Sequence, residues 1–108
     1  MKSLIGDAAR DDILRQYRYL LYEQESPLAA EQFLKSIQKS IQQICKNPDI
    51  GSPRFFSNPK LTGIRSWAVQ HFPSIRIYYL VPGRVIRIVR ILHGKRDIGP
   101  LLEHDQEG

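Results

Sequence analysis

Three histidines, His71, His93 and His104, are the only side chains in this sequence whose ordinary pKa lies near neutrality. His71 stands beside a turn and His104 in an acidic tail. His93 is therefore the one imidazole placed to act as a general acid or base. No Ser-His-Asp set accompanies it, no glycine-rich phosphate loop is present, and no His, Cys, Asp or Glu spacing suits a metal. The single cysteine, Cys45, can neither close an internal disulfide nor build a metal cluster, and reads as a small buried hydrophobe. No cofactor is implied. What remains is electrostatic chemistry, in which Arg76, Lys95 and Arg96 are the cations expected to stay free and face a partner.

The charge is unevenly placed. Residues 1–50 hold seven Lys/Arg and seven Asp/Glu, whereas residues 51–102 hold nine basic residues against one acid, Asp97. Glu103, Asp105 and Glu107 then make the end of the chain acidic. A field of this kind attracts polyanions or acidic protein partners, although a solvated charged surface is the plain alternative. At 108 residues, 42% hydrophobic and 25% charged, the chain suits one globular domain over residues 1–102, with residues 103–108 as a flexible acidic tail. No apolar run approaches a membrane span, and Asp7 and Asp11 interrupt the start, so a cytoplasmic protein without a signal peptide is expected.

These residues need elements to hold them. Residues 2–5 suit a short first strand. Asp7 is a plausible N-cap for a helix over residues 8–24, in which Ala9, Ile13, Tyr17 and Leu20/Leu21 recur at helical spacing. Ser26-Pro27 restarts a helix over 27–46 with Phe33, Ile37, Ile41 and Ile44 on one face, and Asn47-Pro48 ends it. A link this short makes the pair an antiparallel hairpin. Residues 47–63, rich in Pro and Gly, read as an extended loop. Strands follow at 64–70, 75–81 and 84–92, with Ile75, Ile77, Tyr79 and Val81 on one face of the second and Arg76 and Tyr78 on the other. Arg87 and Arg90 differ by an odd number and so should point to opposite faces. The fold class is α+β: an antiparallel helical hairpin packed on a small, mainly antiparallel sheet.

Four segments carry a resemblance. Arg90-Ile91-Leu92-His93-Gly94-Lys95-Arg96-Asp97 resembles the closing motif of ParE toxins. Pro48-Asp49-Ile50-Gly51 resembles the Asn-Pro-x-x-Gly stretch after that family's second helix. Ile64-Arg65-Ser66-Trp67-Ala68-Val69 resembles its Leu-Arg-x-aromatic-x-Val strand, and Ile77-Tyr78-Tyr79 its Ile-x-Tyr strand. They occur in the family's order over about residues 7–102. The resemblance, within the RelE/ParE superfamily, implies a type II toxin held inactive by a cognate ParD-like antitoxin. It implies one of two targets: DNA gyrase trapped on cleaved DNA, as for ParE, or mRNA cut in the ribosomal A site, as for RelE.

RNA cleavage by 2′-hydroxyl attack needs one group to take a proton, one to return it, and cations to hold the phosphorane. The positions that bear RelE's two lysines fall here at Trp67 and Val69. Its cationic positions fall at Arg76 and Arg96, and its C-terminal tyrosine at Leu102. The phosphate-holding cations survive, and the proton-transfer groups do not. Other superfamily members use a histidine near the C-terminus, so an endoribonuclease built on His93, Arg76 and Arg96 is the alternative to a gyrase inhibitor without catalytic residues. In the gyrase reading, Arg76, Lys95 and Arg96 face the target, and DNA is met only through gyrase or the antitoxin. Tyr17, Leu21 and Tyr22 of the tyrosine-rich first helix are the expected antitoxin contacts. Trp67 is expected to be buried, and Arg65 and Arg90 to pair with Asp97 or an acidic helix residue.

Overall fold

The computed structural model describes residues 1–94 and Pro100. Strand β1 (Lys2–Ile5) leads into helix α1 (Asp7–Arg18), a π-helical turn (Tyr19–Glu23) and helix α2 (Pro27–Lys46). The short strand β2 (Ser52–Pro53) and a 3-10 turn (Pro59–Leu61) precede β3 (Arg65–Val69), β4 (Phe72–Leu80) and β5 (Val85–His93). The five strands form one sheet in the order β1-β5-β4-β3-β2. Only β1 and β5 run parallel; the other pairs are antiparallel. Two helices on a mostly antiparallel sheet is the α+β arrangement that the hydrophobic periods imply.

The first strand forms, and its end sets the start of α1. Gly6, not Asp7, is the N-cap, and no side chain caps the helix. The Gly6 N–H donates to the Ile88 carbonyl at 3.0 Å, so the chain finishes its pairing with β5 and turns into the helix within one residue. A Cβ at Gly6 would stand 3.2 Å from that carbonyl oxygen. Asp7 falls instead in the first turn, where its carboxylate suits the positive end of the helix dipole. The final turn of the expected 8–24 helix is π-helical: Gln24 N–H reaches the Tyr19 carbonyl at 3.0 Å, five residues back. Glu25, with φ 48°, then reverses the chain. In α2, Ser26 Oγ accepts from Ala29 N–H, and Pro27 occupies a first-turn position where its missing N–H loses nothing.

The helix-side core joins Phe33, Ile37, Ile41 and Ile44 of α2 to Val69, Ile75, Ile77, Tyr79, Ile86, Ile88 and Ile91 of the sheet. Phe33 meets Phe72 edge-on, with ring centroids 5.4 Å apart. Cys45 is only half-buried at the margin of this core. The opposite face of the sheet holds a second cluster of Leu61, Ile64, Tyr78, Val89 and Leu92, flanked by Phe56 and Leu80. The proline-rich segment is therefore more than an extended loop, because it adds β2 to the sheet edge and buries Leu61 and Ile64 against the second face. A bulge shifts the alternation within β5. Tyr78 pairs with Arg90 but Tyr79 with Ile88, which leaves Val89 as the extra residue. Alternation shifts there: Ile86 and Ile88 face the helices before it, Ile91 after it. The bulge overturns the expectation that Arg87 and Arg90 point to opposite faces: Arg87 pairs with Leu80 and Arg90 with Tyr78, which share the second face, and the two arginines differ in depth, Arg87 exposed and Arg90 buried.

Candidate functional site

Beyond Ile88, strand β5 has no β1 partner, and its free edge is closed by side chains of α1. Asp12 Oδ2 accepts the Ile91 N–H at 2.9 Å, and Gln16 Nε2 donates to the Ile91 carbonyl at 2.8 Å. Arg90 completes the arrangement with a two-point bond, Nε to Asp12 Oδ2 at 2.7 Å and Nη2 to Oδ1 at 2.8 Å. Arg15 adds a contact to Oδ1 at 3.1 Å from the exposed side. Asp12 is fully buried, so its charge is acceptable only because these donors surround it. Arg90 thus pairs with an acidic helix residue. Asp12 shows no hydrophobic period and is easily read as part of a solvated Asp11-Asp12 pair. The only hint in the sequence is that it lies on the same helical face as Ala9 and Gln16.

Arg65 serves the fold as well. Its Nη1 donates to the carbonyls of Asp49 (3.2 Å) and Gly51 (2.7 Å), and its Nη2 lies 3.8 Å from the Asp49 carboxylate. The acid it meets lies in the Pro48–Gly51 turn, neither on a helix nor at Asp97. Tyr79 holds the same turn from below: its hydroxyl donates to the Pro48 carbonyl at 2.7 Å and accepts the Gly51 N–H at 2.9 Å. Burial raises the Tyr79 pKa, and the Gly51 N–H and nearby Arg65 oppose that rise. Only glycine fits at position 51, since a Cβ there would lie 2.6 Å from the Tyr79 hydroxyl. Trp67 is half-buried, packed on the core margin with Nε1 donating to Gln43 Oε1 on α2 at 3.0 Å.

At the other end of the sheet β5 ends on His93, paired with Ile75, and the Gly94 N–H bonds the Ser74 carbonyl at 2.8 Å. Arg76 lies beside this turn, for a Cβ at Gly94 would be 3.1 Å from its Cδ. Arg76 is not free, however. Its Nε donates to Ser66 Oγ at 3.0 Å and its Nη2 to the Ser66 carbonyl at 3.2 Å, because β3 runs directly alongside. Lys95 and Arg96 lie outside the described residues, as do Asp97, Leu102, His104 and the tail 103–108. His93 is exposed and borders a recess of about 340 Å³ that also involves Arg15, Gln16, Tyr19, Leu20 and Phe72. Val69, at one of the superfamily's lysine positions, is buried in the core.

The first helix divides its aromatics by depth. Tyr17 and Leu21 are half-buried, whereas Tyr22 is 69% exposed. Leu14, Tyr19, Leu28 and Leu34 are also exposed, so the helical hairpin presents more apolar surface than Tyr17, Leu21 and Tyr22 alone. Among the described residues, no helix is long and apolar enough to cross a membrane, and no group of His, Cys, Asp and Glu could hold a metal.

The model of a family described as the ParE toxin of the type II toxin–antitoxin system parDE matches residues 4–98. This chain belongs to the ParE toxin family. A structure of the chromosomal ParDE system from P. aeruginosa superposes with a TM-score of 0.66 at 20% identity, over 86% of this toxin and 95% of that chain. At that identity the likeness concerns the fold. No curated protein matches the sequence significantly. The motif residues of the family gain physical roles here: Arg90 closes the β5 edge through Asp12, Arg65 and Gly51 build one turn, and Gly94 makes room for Arg76.

Proposed function

We propose that this ParE toxin acts by binding, inhibiting DNA gyrase by stabilising its cleaved-DNA complex, and that the surface around Arg76, Lys95 and Arg96 faces the target. A ParD-like antitoxin neutralises it by docking on the helical hairpin around Tyr17, Leu21 and Tyr22. The observation that carries this reading is the lack of a proton-transfer pair around Arg76 among the described residues. Val69 is core, Trp67 is tied to Gln43, and Arg76 is engaged with Ser66. Among the described residues near Arg76, His93 is the candidate to move a proton, and cleavage by 2′-hydroxyl attack needs a second group.

Supercoiling and cleavage-complex assays with purified gyrase, run beside ribosome-programmed mRNA cleavage, test the choice. His93→Ala should leave gyrase inhibition intact, and the wild type should leave mRNA uncut. A folded His93→Ala protein that binds ribosomes but cleaves mRNA roughly 10²–10⁴-fold more slowly than wild type would replace this reading with the endoribonuclease one.

A further inference from the structure

The segment between β2 and β3 presents one aromatic ring outward. Phe55 is 91% exposed, the highest value among the large exposed hydrophobics. Its two neighbours are held against the sheet. The Arg54 N–H donates to the Ile64 carbonyl at 2.9 Å, and the Arg54 guanidinium lies 5.6 Å from the centre of the Tyr78 ring and 6.0 Å from that of Phe56. Phe56 packs on the second cluster, beside Leu61 and Ile64. With residues 54 and 56 turned to the sheet, the ring between them is turned to solvent. Single exposed hydrophobics are ordinary. A phenylalanine displayed almost whole, on a backbone pinned at both sides, is different, because little ordering remains to oppose its burial by a partner.

The surroundings of Phe55 decide the partner class. This segment covers the sheet face opposite the helices, and Arg76 emerges on that same face, where it pairs with Leu92 of the second cluster. Arg54 reaches Tyr78 and Arg76 reaches Ser66, and Ser66 and Tyr78 are register partners, so both guanidiniums gather at one part of the face. Among the described residues their partners are neutral: two rings and a phenol for Arg54, the serine for Arg76. Arg65 and Arg90, by contrast, have the carboxylates of Asp49 and Asp12. Residues 51–94 contain no Asp or Glu, so the face keeps a positive excess. Single-stranded nucleic acid would want a row of exposed rings for its bases. Phe56, Trp67, Phe72, Tyr78 and Tyr79 are buried or half-buried, which leaves one ring. One aromatic framed by arginines is instead the pattern of a protein interface. We infer that Phe55 is the apolar anchor of the target-binding surface, received by a pocket in an acidic protein surface, with Arg54 and Arg76 as its charged frame. The identity of that protein rests on the gyrase reading, to whose cationic surface Phe55 adds the residue that supplies affinity.

The test is binding of the full chain to purified gyrase by surface plasmon resonance, with growth arrest on induced expression as a second readout. Phe55→Ala should weaken gyrase binding at least about 10-fold, chiefly through faster dissociation, and Phe55→Tyr should keep most of the affinity. Both variants should melt within about 3 °C of wild type, as an exposed position allows. Leu28→Ala, at an apolar residue 78% exposed on the hairpin, should leave gyrase affinity unchanged. Wild-type association should slow as salt rises, and Arg54→Gln should flatten that dependence. The anchor is refuted if Phe55→Ala binds gyrase as wild type does, if Leu28→Ala loses as much, or if association ignores salt. It is equally refuted if Phe55→Ala weakens binding of the antitoxin or of labelled single-stranded DNA instead of gyrase. A wild type that never binds gyrase removes the gyrase reading, and growth arrest then decides alone. Loss of arrest in a folded Phe55→Ala protein would sustain the anchor, and full arrest would end it.

Discussion

Replacing Asp12 by alanine should be among the most damaging single changes in this toxin. Asp12 is fully buried and holds Arg90 at 2.7 and 2.8 Å, the Ile91 N–H at 2.9 Å and Arg15 at 3.1 Å. Its loss leaves a guanidinium in the interior without its counter-charge and an N–H on the sheet edge without an acceptor. Removing one partner of a buried pair costs about 3–5 kcal/mol, out of a total stability of roughly 5–15 kcal/mol. At an unfolding entropy of about 2.1 cal/mol/K per residue, the melting temperature should fall by roughly 13–22 °C. Asp12→Leu combined with Arg90→Met removes both charges together and should recover most of the loss. It retains a residual cost of about 1–3 kcal/mol from the unpaired Ile91 N–H. Urea and thermal unfolding of the two proteins measure both quantities. A loss below about 1 kcal/mol for Asp12→Ala, or a double variant no more stable than the single, would refute the view that this acid is tolerated only through its partners.

Other outcomes follow from the same geometry. Tyr79→Phe strands the Gly51 N–H and the Pro48 carbonyl and should cost about 1–3 kcal/mol by denaturant unfolding. Because burial raises the Tyr79 pKa above its ordinary 10.0, the neutral phenol's contribution is complete below pH 10 and is lost as pH rises through the folded value. The gap in stability between wild type and Tyr79→Phe should therefore narrow above pH 10, as alkaline melts of the two would show. Tyr22→Glu, at an exposed position, should shift stability by less than about 0.5 kcal/mol while weakening antitoxin binding at least about 10-fold by calorimetry. Unchanged affinity would place the antitoxin elsewhere on the toxin.

Helix and strand positions were legible because their signals are local. Ser26-Pro27 and Asn47-Pro48 bracket α2 at the observed limits, and the alternation from Ile75 to Val81 marks the inward face of β4. What escaped depends on distant partners. The role of Asp12 is set by residues 78 and 79 positions further along the chain, and in the sequence only the helical face it shares with Ala9 and Gln16 distinguishes it from its exposed neighbour Asp11. The bulge at Val89 leaves no mark in a run of Val and Ile, since both clusters take the same residue types. Arg76 seemed available because the sequence holds no acid near it. Its partner is a serine on the adjacent strand, a residue type with no charge to betray the pairing.

The parallel pairing of β1 with β5 also fixes a timetable. The first strand to leave the ribosome has as its only partner the last described strand to be made, and Arg90 stands 78 residues beyond Asp12. At roughly 5–20 residues per second that distance takes about 4–16 s to synthesise. Throughout that interval α1 has no sheet edge to close. The edge that α1 closes is therefore incomplete until β5 has emerged.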